Sequence, residues 1–546
     1  MFSQLRFLLP ALLWPTILAA PAPRSAPTVT LDNGTFVGAV SGNVNKYLGI
    51  PFAKPPTGDL RFRLPVANDP YTGTLQATSF GTACPQQAFN FDIPVPGISD
   101  IVNEVINGFY DLITPNGEDC LTVNVWTPTN VAKGTKLPVA VWIFGGGFEI
   151  GAPELYDGGV IVDHSISMGS PVVYVSMNYR VSAFGFLASA EVKNAGVGNL
   201  GLQDQRQALR WVQKYISAFN GDPTKVTIWG ESAGAISAAL HLVANNGDNE
   251  GLFRGAFMES GSTIPVGDLT GGQNEYDAIV QKTGCSGSAD TLECLRQAPY
   301  STLKAAVDQS PALLGPTGLH LAYLPRADGI FLTDNPQRLV QNGKVANVPF
   351  VNGNNDDEGT LFTLALLNIT TDSQVASYLT QNYLPKASAS TINQFMQLYP
   401  SDITAGSPYS TGILNALTPQ FKRLASVQGD LVFQAPRRFL LQQRSDKQPT
   451  WSYLSKRFKI APILGSFHAT DLLNVYTGGD MTDYIINFVN NLDPNGPTVT
   501  NWPKYTNANP QLLTFLDGLI PRTITKDNYR VDQMNFVTNL SLQFPI

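Results

Sequence analysis

A chain of 546 residues, 43% of them hydrophobic and only 14% charged, is long enough to bury a large core and too apolar to be disordered. Its net charge of −7, with no Lys/Arg block, argues against a nucleic-acid partner.

The chain opens on Arg6, an apolar stretch over 7–18 broken by Pro10 and Pro15, and small residues at Ala19, Ala20 and Ala22. This reads as a signal peptide over 1–20, with a Pro-rich piece to about residue 25 that could be trimmed later. The stretch is shorter than the roughly 20 residues of a membrane span, and no second candidate follows. The expectation is a secreted, extracellular protein without a transmembrane anchor.

Asp32-Asn33-Gly34 between apolar alternations predicts a hairpin. β-Branched apolar runs then recur at 121–126, 139–144, 172–176 and 226–229. Leu209, Val212, Ile216 and Phe219 are spaced for one buried face of a helix over 204–219. Such alternation predicts a mostly parallel sheet covered by helices, an α/β fold. With no repeat and no low-complexity linker, 26–546 reads as one domain with long insertions.

Four cysteines, Cys84, Cys120, Cys285 and Cys294, allow three pairings. Neighbour pairing, Cys84 with Cys120 and Cys285 with Cys294, closes two local loops and is the expected one. None has metal-ligand spacing with a histidine, so no metal site is expected. Asn33, Asn368 and Asn539 head Asn-x-Ser/Thr sequons, compatible with glycosylation in the secretory pathway.

The chemistry concentrates at Gly230-Glu231-Ser232-Ala233-Gly234, which follows a short strand and precedes a good helix start. Gly-x-Ser-x-Gly is weak alone; at a strand-to-helix turn it presents a serine Oγ at a helix N-terminus. There the Ala233 N–H can face a developing oxyanion. Upstream, the strand at 139–144 runs into Gly145-Gly146-Gly147-Phe148, where the backbone can approach a substrate closely.

Together with Glu118-Asp119-Cys120-Leu121-Thr122-Val123-Asn124-Val125 and Phe219-Asn220-Gly221-Asp222-Pro223, these motifs resemble the type-B carboxylesterase/lipase family, and within it the secreted fungal lipases and sterol esterases. The resemblance spans nearly the whole mature chain and implies the α/β-hydrolase fold. Asn220 departs from the family's usual Gly or Arg, but Asn tolerates a left-handed backbone. The resemblance also implies oxyanion donors at Gly146, Gly147 and Ala233.

Four histidines permit elimination. His241 lies about 13 Å along the helix from Ser232, too far to share a proton. His164 reads as a residue of a polar loop before a strand, and His320 as a wall residue. The fold runs Ser, then acid, then His, which leaves His468. Asp356, Asp357 and Glu358 all follow the expected strand over 348–353, and composition does not separate them. The resemblance places the acid on Glu358.

Ser232, His468 and Glu358 would then hydrolyse carboxylic esters through an acyl-enzyme, without metal or organic cofactor. Ile98, Ile101, Val102, Val105, Ile106 and Phe109 fall on one helical face within 85–119, and the resemblance makes this disulfide-tied segment a lid. An amphipathic lid points to lipophilic ester substrates, long-chain acylglycerols or steryl esters, at a lipid–water interface. Its apolar face also offers a surface for a homodimer. The resemblance suggests Pro265, Leu313, Leu319 and Leu321 for an acyl pocket. The apolar run 361–367 suits equally a pocket for a bulky alcohol or plain core. Competing readings are a carboxylesterase for small soluble esters and a non-catalytic binding protein on the same fold.

Overall fold

The computed structural model describes residues 25–89, 114–132 and 134–546. The expected leader and the segment carrying Ile98, Ile101, Val102, Val105, Ile106 and Phe109 lie outside the described residues.

In chain order, β1 (Thr28–Leu31), β2 (Asn33–Val37), β3 (Ala39–Ser41), β4 (Val44–Pro51) and β5 (Thr72–Gln76) lead into β6 (Thr122–Pro128) and β7 (Leu137–Ile143). Then follow β8 (Val173–Met177), β9 (Gly221–Glu231), β10 (Gly255–Glu259) and β11 (Phe350–Asn355). The last are β12 (Thr450–Trp451), β13 (Tyr453–Ser455), β14 (Gln511–Phe515) and β15 (Arg522–Lys526). β1, β2 and β5 form a small sheet, in which Leu31 faces Gly34. The hairpin therefore turns at Asp32, which sits at φ 50°, and both Asn33 and Gly34 belong to the second strand.

The main sheet has the order β15-β14-β13-β11-β10-β9-β7-β8-β6-β4-β3, with β12 beside β11. From β8 through β14 neighbours run parallel; antiparallel pairs close both margins. The central strands are buried on both faces, which is why β7 (LPVAVWI) is almost continuously apolar rather than alternating. Trp142 and Trp229, on adjacent strands, meet edge to face at 4.6 Å.

The expected helix after β8 spans Leu200–Tyr215 and tightens into a 3₁₀ turn at Ile216–Phe219. It ends at Asn220, φ 64°, the left-handed geometry that Asn accepts in place of Gly. A second apolar cluster, with Val375, Leu379, Phe395, Leu424 and Val537, joins the helices Asp372–Asn382, Ala389–Leu398, Phe421–Gly429 and Val531–Gln543. The disulfides are Cys84–Cys120 and Cys285–Cys294, the neighbour pairing expected.

Candidate active site

β9 stops at Glu231 and the helix Ala233–Val243 starts one residue later, so Ser232 alone makes the turn. It does so at φ 56°, ψ −125°, a backbone region costing a non-glycine residue about 1–3 kcal/mol. The surroundings hold it there. The Ser232 N–H donates to the Glu259 carbonyl at 2.9 Å, and the Ser232 carbonyl accepts from Ile236 N–H at 2.8 Å. A Cβ at Gly230 or Gly234 would strike the Ile143 carbonyl at the end of β7, so the turn packs that closely only with glycine on both sides.

His468 arrives on the loop after β13 and lies 2.8 Å from Ser232 Oγ through Nε2. Its other nitrogen, Nδ1, meets Glu358 Oε2 at 2.6 Å. Glu358 Oε1 in turn accepts from Ser260 Oγ at 2.6 Å and from Asn355 N–H at 2.7 Å. That brace fixes the carboxylate and hence the ring: Nδ1 donates to Glu358, so in the neutral imidazole Nε2 turns its lone pair toward Ser232 Oγ. Asp356 and Asp357 serve other partners: Lys459 bridges both at 2.6 Å, and Asp357 also accepts from Ser466 N–H at 2.9 Å. Among the three acids of this turn, Glu358 is the one that meets His468.

Glu231 was not singled out as a site residue by the sequence. Its Oε1 lies 3.2 Å from His468 Nε2, not aligned as a hydrogen bond. Burial pushes the Glu231 carboxyl up to about 8, against the pull of His468. Burial would lower the His468 pKa, but the Glu231 and Glu358 charges and the Glu358 hydrogen bond together raise it to about 9. Deeper in, burial raises the pKa of Glu259, which accepts from Trp229 Nε1–H, and of Asp471, which accepts from Tyr453 OH at 2.6 Å.

Ser232 and His468 open onto a cavity of about 260 Å³ with mainly apolar walls. Gly146, Gly147 and Ala233 border it, and so do Pro265, Leu313, Leu319 and Leu321. Gly146 (φ 108°) and Gly147 (φ 64°) adopt backbone that other residues rarely reach. A Cβ on Gly147 would press on Leu313 and Leu321 at 3.1 and 3.2 Å, so the glycine loop and the acyl-pocket candidates touch directly. The apolar run after Glu358 divides its duties. Leu361 and Phe362 line the cavity, while Leu366 belongs to the helical cluster.

Further walls come from residues that the sequence did not flag. Phe433 lies 4.6 Å from the His468 ring and Phe362 5.1 Å, both centroid to centroid. Phe433 sits on a π-helical turn, Asp430–Gln434, between the helices Phe421–Gly429 and Ala435–Arg444. Such turns recur at functional sites, but no local residue pattern announces this one. Tyr383, Leu540, Phe544 and Ile546 complete the far side.

The remaining histidines stand apart from Ser232. His164 is on the helix Gly158–Ser167 rather than in a loop, and its Nε2 meets Asp483 at 2.6 Å. Asp483 is 319 positions away, too distant for local sequence to reveal. His241 is buried against Gln205 at 2.9 Å, and burial depresses its pKa. His320 packs edge-on to Tyr383 and lines an outer groove rather than the Ser232 cavity.

A mostly parallel sheet covered by helices, with a serine on a strained strand-to-helix turn and a histidine and carboxylate on later loops, defines an α/β-hydrolase. The carboxylesterase family model matches residues 25–537, and the chain belongs to the carboxylesterase family. It is 44% identical over 530 residues to Lipase 2 of Diutina rugosa, covering 93% of this chain and 95% of that protein. It is 42% identical over 533 residues to the secreted triacylglycerol lipase LIP1 of Gibberella zeae, covering 93% and 90%. The crystal structure of Aspergillus niger EstA superposes with a TM-score of 0.81 at 28% identity, covering 96% of this chain and 99% of that one. The chain is a carboxylic ester hydrolase.

Proposed function

We propose that Ser232, His468 and Glu358 hydrolyse lipophilic esters, long-chain acylglycerols or steryl esters, through an acyl-enzyme. The observation that carries this reading is the continuous contact from Glu358 through His468 to Ser232 Oγ, 2.6 and 2.8 Å, at the wall of an apolar cavity. His468 Nε2 takes the serine proton as Oγ attacks the ester carbonyl. The N–H groups of Gly146, Gly147 and Ala233 receive the oxyanion. His468 then protonates the departing alcohol, and water repeats the sequence on the acyl-enzyme. Pro265, Leu313, Leu319 and Leu321 hold the acyl chain.

The lipase names of relatives 42–44% identical favour a long-chain substrate. Secretion is part of the same reading. The Gibberella zeae relative is a secreted lipase, the leader has signal-peptide composition, and the sequon residues Asn33, Asn368 and Asn539 are all exposed.

The test is covalent labelling by a fluorophosphonate together with a substrate panel of p-nitrophenyl butyrate and palmitate, emulsified triolein and cholesteryl oleate. Labelling that disappears in Ser232→Ala, with turnover favouring the long-chain esters, is expected. Folded protein that does not label would overturn the triad. Preference for the butyrate ester would overturn the substrate assignment.

A further inference from the structure

Large apolar side chains crowd the exposed tips of three loops: Ile413 and Leu414, Phe458 and Ile460, Leu519 and Ile520. The loops are tied to one another. Asn415 Oδ1 accepts from Ile463 N–H at 3.0 Å, and the Asp517 carboxylate accepts from Phe458 and Lys459 N–H at 3.2 Å each. The six side chains therefore belong to one ridge. Its middle loop continues directly into His468. Thr360 Oγ1 donates to the Leu464 carbonyl at 2.8 Å, which sets the ridge beside Leu361 and Phe362 in the cavity wall.

Two features say what would cover this ridge. Ile460 is 90% exposed and Leu519 fully so, standing clear of the protein rather than forming a flat face to match another folded surface. The flanking cations are each already engaged in an ion pair. Lys456 and Lys459 pair with Asp356 at 3.6 and 2.6 Å, and Arg457 and Arg522 with Asp480 at 2.8 and 3.2 Å. A surface adapted to anionic headgroups would keep Lys and Arg free.

We propose that this ridge docks the protein on an uncharged lipid surface, inserting its loop tips beside the cavity. The proposal rests on the assignment of lipophilic esters to the site. Insertion transfers apolar side chains out of water, while the ion pairs behind them need no lipid charge. Docking is then insensitive to salt and to added anionic lipid.

The test is partition of the full chain, inactivated by fluorophosphonate, onto triolein droplets and onto phosphatidylcholine vesicles with and without phosphatidylserine. The Ile460→Ser/Leu519→Ser double variant is expected to partition at least about tenfold more weakly on triolein. The Leu64→Ser/Val66→Ser control, exposed apolar residues elsewhere on the surface, should not change. Phosphatidylserine should add nothing to wild-type binding, and before inactivation the turnover of dissolved p-nitrophenyl butyrate should be the same in all three proteins. Undiminished partition by the double variant would overturn the proposal. So would a wild type whose binding requires phosphatidylserine, or a double variant that changes sedimentation rather than lipid binding, the mark of an interface between copies. Droplet binding without long-chain hydrolysis would instead overturn the substrate reading and leave the docking ridge standing.

Discussion

Glu231 Oε1 stands 3.2 Å from His468 Nε2, the same nitrogen that meets Ser232 Oγ at 2.8 Å. His468 is therefore held between two carboxyl groups, Glu231 on one nitrogen and Glu358 on the other.

The first consequence is a pH profile. His468 must be neutral to take the serine proton, and its pKa is raised to about 9. Activity on a dissolved ester should rise as pH climbs through the alkaline range, with a midpoint well above an ordinary histidine's. Glu231→Gln removes the strongest of the charges that raise it, and should lower the midpoint by about one pH unit. Its plateau rate should fall, because the imidazolium of the transition state loses a neighbouring charge. Initial rates from pH 5 to 10 check this; an unmoved midpoint refutes it.

Glu358→Gln should reduce kcat by about 10⁴-fold, since an amide does not enforce the Nδ1-protonated tautomer. Ser260→Ala keeps the carboxylate but removes its 2.6 Å donor. A loss of about tenfold in kcat with little change in KM is expected, from steady-state kinetics on a soluble ester.

Asp527 locks the helix Ala435–Arg444 to the end of β15, accepting from Arg437 at 3.0 and 3.1 Å and from Arg438 at 2.5 and 3.1 Å. Burial opposes its charge, yet the two guanidiniums hold its carboxyl well below the usual range. A depressed carboxyl stabilises the fold above its unfolded pKa and loses that contribution as pH falls through the folded one. Asp527→Asn should cost about 3–5 kcal/mol at neutral pH. Thermal unfolding of both proteins should show the gap narrowing in strong acid.

Leu319→Trp should fill the cavity that Leu319 lines with Phe362 and Phe433 and shorten the preferred acyl chain. The palmitate-to-butyrate ratio of kcat/KM is expected to fall at least about tenfold. An unchanged ratio would place the acyl chain elsewhere.

The sequence revealed those parts of the site that are locally encoded. Ser232 is readable because strand, turn and helix are contiguous around it, and His468 because so few histidines compete. Glu358 needed the family resemblance, since what separates it from Asp356 and Asp357 is a brace from Ser260, 98 positions earlier and just past the end of the neighbouring strand β10. Phe433 and Ile546 were invisible for the same reason: the folded chain, not local spacing, brings them to the cavity. The boundaries of the helix Leu200–Tyr215 moved by four residues at each end because its last expected turn is 3₁₀ and its first begins at Asn199.

The contact of Gly147 with Leu313 and Leu321 bears on how this enzyme could diversify. Glu149 reinforces it, its carboxylate accepting from Leu313 N–H at 2.6 Å while its backbone N–H donates to the Gly146 carbonyl at 3.1 Å. Reshaping that near wall would disturb the glycine loop along with substrate fit, so under the proposed mechanism selection for a new ester there would carry a rate penalty. Among the described residues, the far wall at Tyr383 and Phe544 makes no hydrogen bond to Gly146 or Gly147, and substrate range is freest to drift there.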